Sequence, residues 1–112
     1  MISKDILDKL KELEYVYGVL LIGNDGLVKY SSLLEDDSKI ENLGAELSII
    51  LNGISQVMKN LYNENAECIF IKVKNQGIML VPKDGEILTI MFKVDNNNLQ
   101  KLTQIMEKIL ND

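Results

Sequence analysis

Residues able to do chemistry are few in this chain, and they lie where turns and loops are expected. The glycine-rich segment Gly23-Asn24-Asp25-Gly26 could suggest phosphate binding, but it joins two apolar runs and no Lys-Ser/Thr pair follows it, so a hairpin turn fits it better. The acidic segment Glu35-Asp36-Asp37, with Asp25, could suggest a calcium loop, yet the spacing is not that of an EF-hand. Both segments therefore predict turns or solvated loops.

The remaining side chains narrow the chemistry further. Cys68 is the only cysteine, which excludes an internal disulfide, and its apolar surroundings in sequence predict a buried, inert thiol. All 12 basic residues are lysine, and histidine, arginine and tryptophan are absent. Without histidine there is no Ser-His-Asp triad and no histidine-bound metal, and without arginine there is no arginine finger. The sequence predicts no catalytic, metal or cofactor site.

Length, charge and composition point to one acidic globular domain. The chain has 112 residues, 46% apolar and 26% charged, with a net charge of -5, so we expect a single domain over residues 1–112. An acidic chain is a poor binder of nucleic-acid phosphates. No apolar run approaches the roughly 20 residues of a membrane span, and the N-terminal segment is too charged for a signal peptide. We therefore expect a cytoplasmic binding domain without nucleic-acid or membrane partners.

Hydrophobic periodicity predicts three helices and five strands. The expected order is a helix capped by Ser3, strands at residues 16–22 and 27–31, a long helix from Ile40 to about Tyr62, strands at residues 68–74, 78–81 and 87–94, and a closing helix. Ser38 and Glu41 form a capping box for the long helix. Short turns make the strands antiparallel, and the two more polar strands, at Leu27 and Cys68, should be the sheet edges. This predicts an α+β fold: a five-stranded antiparallel sheet with helices on both faces, in the order α-β-β-α-β-β-β-α.

The long helix has two faces without charge. The stripe expected to cover the sheet is Ile40, Leu43, Leu47, Ile50, Leu51, Ile54, Val57, Met58 and Leu61. The opposite face is Ala45, Ser48, Ile49, Asn52, Ser55 and Gln56. Solvent-facing positions of the other helices carry lysine and glutamate, so the small, uncharged face predicts that another helix or a partner protein packs on it. The alternative is a polar face that is exposed to solvent and binds nothing.

The strand after the long helix is the second indication of a partner. Ile69, Ile71 and Val73 alternate along a predicted sheet edge, and an uncovered edge invites pairing with another chain. Lys72 and Lys74 argue against this, because lysine blunts edges. The neighbouring small-faced helix favours a two-fold dimer in which two edge strands join and two long helices pack together.

The order and spacing of these elements resemble the Roadblock domain family, also known as the Roadblock/dynein light chain group. The similar segments are residues 17–22 (Tyr-Gly-Val-Leu-Leu-Ile), 24–28 (Asn-Asp-Gly-Leu-Val), the long helix, residues 87–92 and the closing helix. The resemblance implies a profilin- or longin-like fold, no enzymatic activity, dimerisation and binding of a small Ras-like GTPase. The resemblance implies a dimer interface, to which we add Ala45 from the small face of the helix. The expected interface residues are Ala45, Ser48, Ile49, Asn52, Ser55, Ile69, Ile71 and Val73.

By the same resemblance the GTPase would contact Gln56, Lys59 and Asn60. Because the chain has no arginine, it would stimulate hydrolysis only by reshaping the partner's own catalytic residues. Two alternatives remain open. The domain is a scaffold subunit without effect on nucleotide turnover, which a hydrolysis assay would reveal, or a small-ligand sensor, which a retained molecule in native mass spectrometry would reveal. The sensor is less favoured, since only Phe70, Phe92 and four tyrosines could line a pocket.

Overall fold

The computed structural model describes residues 2–111, and its helices and strands follow the predicted order. They are α1 (Lys4–Lys11), β1 (Val16–Gly23), β2 (Val28–Ser31), α2 (Asp37–Tyr62), β3 (Ile69–Val73), β4 (Gln76–Lys83), β5 (Glu86–Lys93) and α3 (Asn96–Asn111). The five strands form one sheet in the order β2-β1-β5-β4-β3. All neighbouring pairs are antiparallel. The predicted fold class, the central strands and the two edge strands are confirmed.

The strand patterns explain this order. β5 is buried from Glu86 to Phe92, because it lies in the middle of the sheet with a helix layer on each face. β2 and β3 have no fully buried residue, as expected for edges. β4 and β5 are joined by Asp84-Gly85, with φ of 53° and 77°, and a two-residue connection of this kind matches the twist of its strands.

The two faces of the sheet are covered by different helices. Side chains of α1 and α3, among them Leu7, Leu10, Leu102 and Met106, pack with Phe92 of β5 in one core cluster. On the other face α2 contributes Leu47 and Leu51, which pack with strand residues such as Leu20 and Leu80. The predicted cover on both faces is therefore present, and α2 alone forms one of the two layers.

The start of α2 differs from the sequence prediction. Its N-cap is Asp36, whose carboxylate accepts a hydrogen bond from the Lys39 amide at 2.8 Å, so the Ser38–Glu41 capping box is wrong by two residues. Aspartate caps as well as serine does, and the earlier start places Asp37 in the first turn, where the helix dipole favours negative charge. The helix ends where expected, at Asn63, which has a left-handed φ of 56°.

Candidate interaction surface

The face with which α2 contacts the sheet is narrower than the apolar stripe in its sequence. Its buried residues are Gly44, Leu47, Ser48 and Leu51. Four residues predicted for the core are exposed instead: Ile50, Ile54, Val57 and Leu61, by 40%, 39%, 46% and 66%. That part of the prediction is wrong.

Gly44 is the physical reason for this orientation of the helix. A Cβ there would lie 2.5 Å from Val28 Cγ2 and 3.2 Å from the Gly26 carbonyl oxygen, so the backbone of α2 approaches β2 and the preceding turn as only glycine allows. One helical turn further on, Ser48 lies over Gly26, which has a φ of 84°. Close approach at Gly44 and Ser48 turns the stripe containing Ile50 and Ile54 away from the sheet.

The exposed apolar flank of α2 lies beside the edge strand β3. Ile54 and Met58 line one depression together with Ile69 of β3. Ile69 packs into the core under α2, so by strand alternation Ile71 and Val73 face the same side, and they are 36% and 67% exposed. We call the set Ile50, Ile54, Val57, Leu61, Ile71 and Val73 the apolar seam. Exposed apolar side chains grouped on one part of a protein surface are a common feature of interaction sites.

The other face of β3 carries Phe70 and Lys72. The Phe70 ring lies 5.9 Å from that of Phe92, centroid to centroid, which places Phe70 on the side of α1 and α3. Within residues 2–111 no strand pairs with the outer edge of β3. Val73 and Gln76 flank a two-residue turn, so we expect a hydrogen-bonded pair there, and Phe70 and Lys72 then direct their amide and carbonyl groups to the free edge.

The helix residues predicted for the dimer interface lie elsewhere. Ser48, Asn52 and Ser55 line a cleft with the β4–β5 turn, on the opposite flank of α2 from the apolar seam. Ser48 is only 8% exposed, so the prediction that it faces outward is wrong. Ala45 is exposed, and Ile49, 71% exposed, points away from the sheet. The structure therefore does not bring Ser48, Asn52 and Ser55 together with Ile69, Ile71 and Val73.

The residues predicted to contact a GTPase remain accessible. Gln56, Lys59 and Asn60 are exposed on the C-terminal half of α2. The Gln56 side-chain amide donates a hydrogen bond to Asn60 Oδ1 at 3.1 Å, one turn further along. Together with the exposed Asn52 they give this part of the helix surface a single formal charge, that of Lys59.

Cys68 is exposed immediately before β3, so the prediction of a buried thiol is wrong. The reason is that β3 is an edge strand whose outer side no other strand covers. Neighbouring atoms nevertheless desolvate the sulfur in part and raise the pKa of the Cys68 thiol. The thiol is therefore protonated at neutral pH, which lowers its reactivity.

A buried carboxylate ties the N-terminal segment to the sheet. Glu86 is 5% exposed in its side chain and accepts hydrogen bonds from the Ile2 amide at 3.1 Å and from Lys29 Nζ at 3.0 Å. Burial alone would raise the pKa of Glu86, but the bond from Ile2 and the bond and charge of Lys29 outweigh it and hold this pKa below its usual value. The ionised carboxylate therefore stabilises the fold.

The pH dependence of stability should reveal this group. Because the pKa of Glu86 is lower in the folded state, its contribution is complete above the unfolded-state pKa of about 4.3 and is lost as pH falls through the folded value. We expect the unfolding free energy of Glu86→Gln to fall less steeply than that of the wild type between about pH 5 and pH 3. Urea titrations at each pH measure it, and Glu41→Gln, at an exposed position of α2, is the control. Equal slopes for wild type and Glu86→Gln would contradict this assignment.

Metal-binding clusters and membrane-spanning helices are both absent from the described part of the chain. Residues 2–111 contain no group of three or more acidic or cysteine side chains arranged to hold a metal ion. Over the same residues, no helix has both the length and the apolar character needed to cross a bilayer. The surface features of interest are thus the apolar seam and the cleft on the other flank of α2.

Comparison with known proteins agrees with this architecture. The family model described as Roadblock/LC7 domain matches residues 2–92. The chain is 62% identical to the uncharacterized protein MJ0311 of Methanocaldococcus jannaschii over 110 residues, which cover 98% of this chain and 99% of that protein. The chain belongs to the Roadblock/LC7 family, whose members are generally non-enzymatic interaction or regulatory domains.

Solved structures share the fold at low sequence identity. MglB of Myxococcus xanthus matches with a TM-score of 0.77 and 10% identity over 96% of this chain and 90% of that one. An MglB with a tetrameric arrangement matches with a TM-score of 0.73 and 12% identity, over 99% and 91%. LokiProfilin2, in a complex with rabbit actin, matches with a TM-score of 0.51 and 12% identity over 98% of each chain. The predicted profilin-like character of the fold is confirmed.

Proposed function

We propose that this protein is a homodimeric interaction module, assembled through the apolar seam and the free edge of β3. The observation that carries the proposal is the seam itself: six aliphatic side chains, each at least 36% exposed, beside an edge strand with unpaired backbone groups. Covering these side chains with a second copy removes them from water and pairs the open edge in one step. The tetrameric arrangement of an MglB with the same fold supports self-association.

The side chains of β3 favour one register for the joined sheet. In a two-fold antiparallel pair, centring the axis on Lys72 would set Lys72 directly against its own copy, and like charges opposite each other destabilise a sheet. Centring it on Ile71 instead pairs Ile71 with itself and Ile69 with Val73 on the α2 side. On the other side it sets Phe70 against Lys72, a favourable cation–π arrangement. We therefore propose a dimer axis at Ile71.

Disulfide trapping tests this register. In a Cys68→Ser background, Ile71→Cys should form an intersubunit disulfide on mild oxidation, because the two copies of residue 71 would form a non-hydrogen-bonded pair about 4.5 Å apart between Cα atoms. Val73→Cys is the matched control, on the same face but distant from its own copy, and should stay monomeric on non-reducing gels. Trapping of Val73→Cys in preference to Ile71→Cys would contradict the proposed axis.

We further propose that the dimer binds a small Ras-like GTPase at Gln56, Lys59 and Asn60. Membership of the Roadblock/LC7 family supports a regulatory or interaction role. The exposed side-chain amides on this part of α2 supply hydrogen-bond donors and acceptors, and Lys59 is the single charged residue among them. The absence of arginine means that the chain cannot insert an arginine finger, so any stimulation acts through residues of the GTPase itself.

Hydrolysis assays with candidate small GTPases test this part. We expect one of these GTPases to bind the wild-type protein. The double variant Gln56→Ala/Asn60→Ala should bind that GTPase more weakly, whereas Glu41→Gln on the same helix should bind it as the wild type does. A change in the hydrolysis rate would identify a regulator, and binding without a change would favour the scaffold alternative. If the double variant and Glu41→Gln bound the GTPase with the same affinity, that result would contradict the proposed contact surface.

A further inference from the structure

An apolar groove of about 300 Å³ lies between α1 and α3, on the face of the sheet opposite α2. Its floor is formed by Leu10 of α1 and Ile109 of α3, which are 1% and 5% exposed. Its walls are the half-buried side chains of Ile6, Leu13 and Ile105. All five pack in or against the core cluster of this face. The fold therefore leaves part of this core layer in contact with water at the groove.

One wall of the groove has apolar residues at helical spacing. Ile6, Leu10 and Leu13 follow one another at steps of four and three residues. Leu13 lies just after α1, and its amide donates a hydrogen bond to the Leu10 carbonyl oxygen at 3.2 Å, so the line extends over about two helical turns. Among residues 2–111 no strand lines the groove. An extended peptide would find no edge with which to pair its backbone, whereas a helix satisfies its own backbone groups.

The charge at the groove is positive in an otherwise acidic protein. Lys9 of α1 and Lys108 of α3 line it, one from each helix, and no acidic side chain among residues 2–111 does. Both lysines are exposed, and neither forms an ion pair within this range. The chain has 17 acidic residues and 12 lysines, so two lysines without a carboxylate reverse its overall sign here. This charge is complementary to an acidic partner.

We propose that the groove between α1 and α3 binds an acidic amphipathic helix of a partner protein. The apolar face of that helix covers Ile6, Leu13 and Ile105, and carboxylates beside this face lie near Lys9 and Lys108. A membrane surface fits less well, because the groove is concave and a bilayer takes up apolar residues that protrude. The groove and α2 lie on opposite faces of the sheet, so binding here requires neither the dimer nor a GTPase.

Amide NMR titration of the full chain with a designed peptide tests the groove. The probe is an acetylated and amidated peptide of about 16 residues, long enough to form a helix, with leucine at helical spacing and glutamate at the flanking positions. The matched control keeps the leucines and replaces each glutamate with lysine. We expect the glutamate peptide to shift the amide resonances of Lys9, Leu13, Ile105 and Lys108 with a Kd of about 0.1 mM. The lysine peptide should bind at least about tenfold more weakly.

Two pairs of variants distinguish the groove from the general charge of the helices. Lys9→Glu should weaken binding of the glutamate peptide about fivefold and strengthen binding of the lysine peptide. Lys11→Glu, on the same helix but outside the groove, should leave both affinities unchanged. Ile105→Ala should weaken the glutamate peptide about fivefold, whereas its exposed neighbour Gln104 should tolerate Gln104→Ala. Lys9 is exposed, so its variant keeps the test informative if Ile105→Ala destabilises the fold.

Several results would overturn the proposal: no shift at the groove, equal binding of the two peptides, or equal effects of Lys9→Glu and Lys11→Glu. Shifts at the groove caused by phosphatidylserine vesicles and not by the peptide would favour a membrane surface and overturn it as well. Shifts there on concentrating the chain without peptide would do the same by favouring a second copy. None of these results affects the disulfide test of the dimer axis or the GTPase assay, so a failure at the groove is distinguishable from a failure of the proposed function.

Discussion

Ile54→Glu should convert the protein from dimer to monomer, whereas Ile49→Glu should leave the dimer intact. Both isoleucines lie on α2 and both are solvent-accessible in the single chain, Ile54 by 39% and Ile49 by 71%. They differ in position: Ile54 belongs to the apolar seam, and Ile49 points away from the sheet. In the proposed dimer Ile54→Glu buries a charge in an apolar interface, which we expect to raise the dissociation constant by about 100-fold or more.

Sedimentation velocity over a dilution series measures this difference. Circular dichroism is the folding control, and both variants should keep the wild-type spectrum because neither isoleucine is in the core. The reverse result, with Ile49→Glu monomeric and Ile54→Glu dimeric, would restore the interface that the sequence suggested and contradict the apolar seam. Identical behaviour of the two variants would also count against the seam.

Gly44→Ala should destabilise the fold and Gly53→Ala should stabilise it, although both replace a glycine within the same helix. In each case alanine improves helix propensity by about 1 kcal/mol. At Gly53 nothing lies within 4 Å of the new Cβ, so that gain is realised. At Gly44 the Cβ would lie 2.5 Å from Val28 Cγ2, and the resulting shift of α2 should give a net loss of about 1–2 kcal/mol.

Urea denaturation of the two variants and the wild type measures both effects. A lower free energy of unfolding for Gly44→Ala together with a higher one for Gly53→Ala separates the effect of close packing from that of helix propensity. If Gly44→Ala were as stable as Gly53→Ala, the contact between α2 and β2 would not determine which flank of α2 is exposed. Close packing at Gly44 would then fail to explain the position of the apolar seam.

The sheet was predictable because its strands differ in apolar content. The runs from Val16 and Ile87 are almost unbroken, as expected for strands with a layer on each face, while the strand at Leu27 alternates with polar residues. Together with short turns, these differences decide which strands lie at the edges. Hairpin turns such as Asp84-Gly85 could be recognised for the same reason, since few residues adopt positive φ.

The orientation of α2 was not predictable from periodicity. Its apolar positions cover a wide arc, so Ile50 and Ile54 fit a core-facing stripe as well as Leu47 and Leu51 do. The deciding contact, between Gly44 and Val28, joins residues distant in the chain, and periodicity carries no information about it. As a result the sequence indicated the helix and the strand that carry the apolar seam but assigned its exposed residues Ile50, Ile54, Val57 and Leu61 to the core.

The small residues of the outer helix face were assigned to the wrong surroundings for a similar reason. Ser48, Asn52 and Ser55 line a cleft with the β4–β5 turn, on the opposite flank of α2 from the apolar seam. Residues of that turn are distant from α2 in the chain, so periodicity carries no information about this contact.

The most direct test of the central claim is the mass of the wild-type chain in solution. In the proposed dimer a second copy covers the apolar seam, so sedimentation equilibrium at micromolar concentration should give twice the single-chain mass of 12.7 kDa. A species of 12.7 kDa that persists at the highest soluble concentration would contradict the proposal that the apolar seam is covered by a second copy.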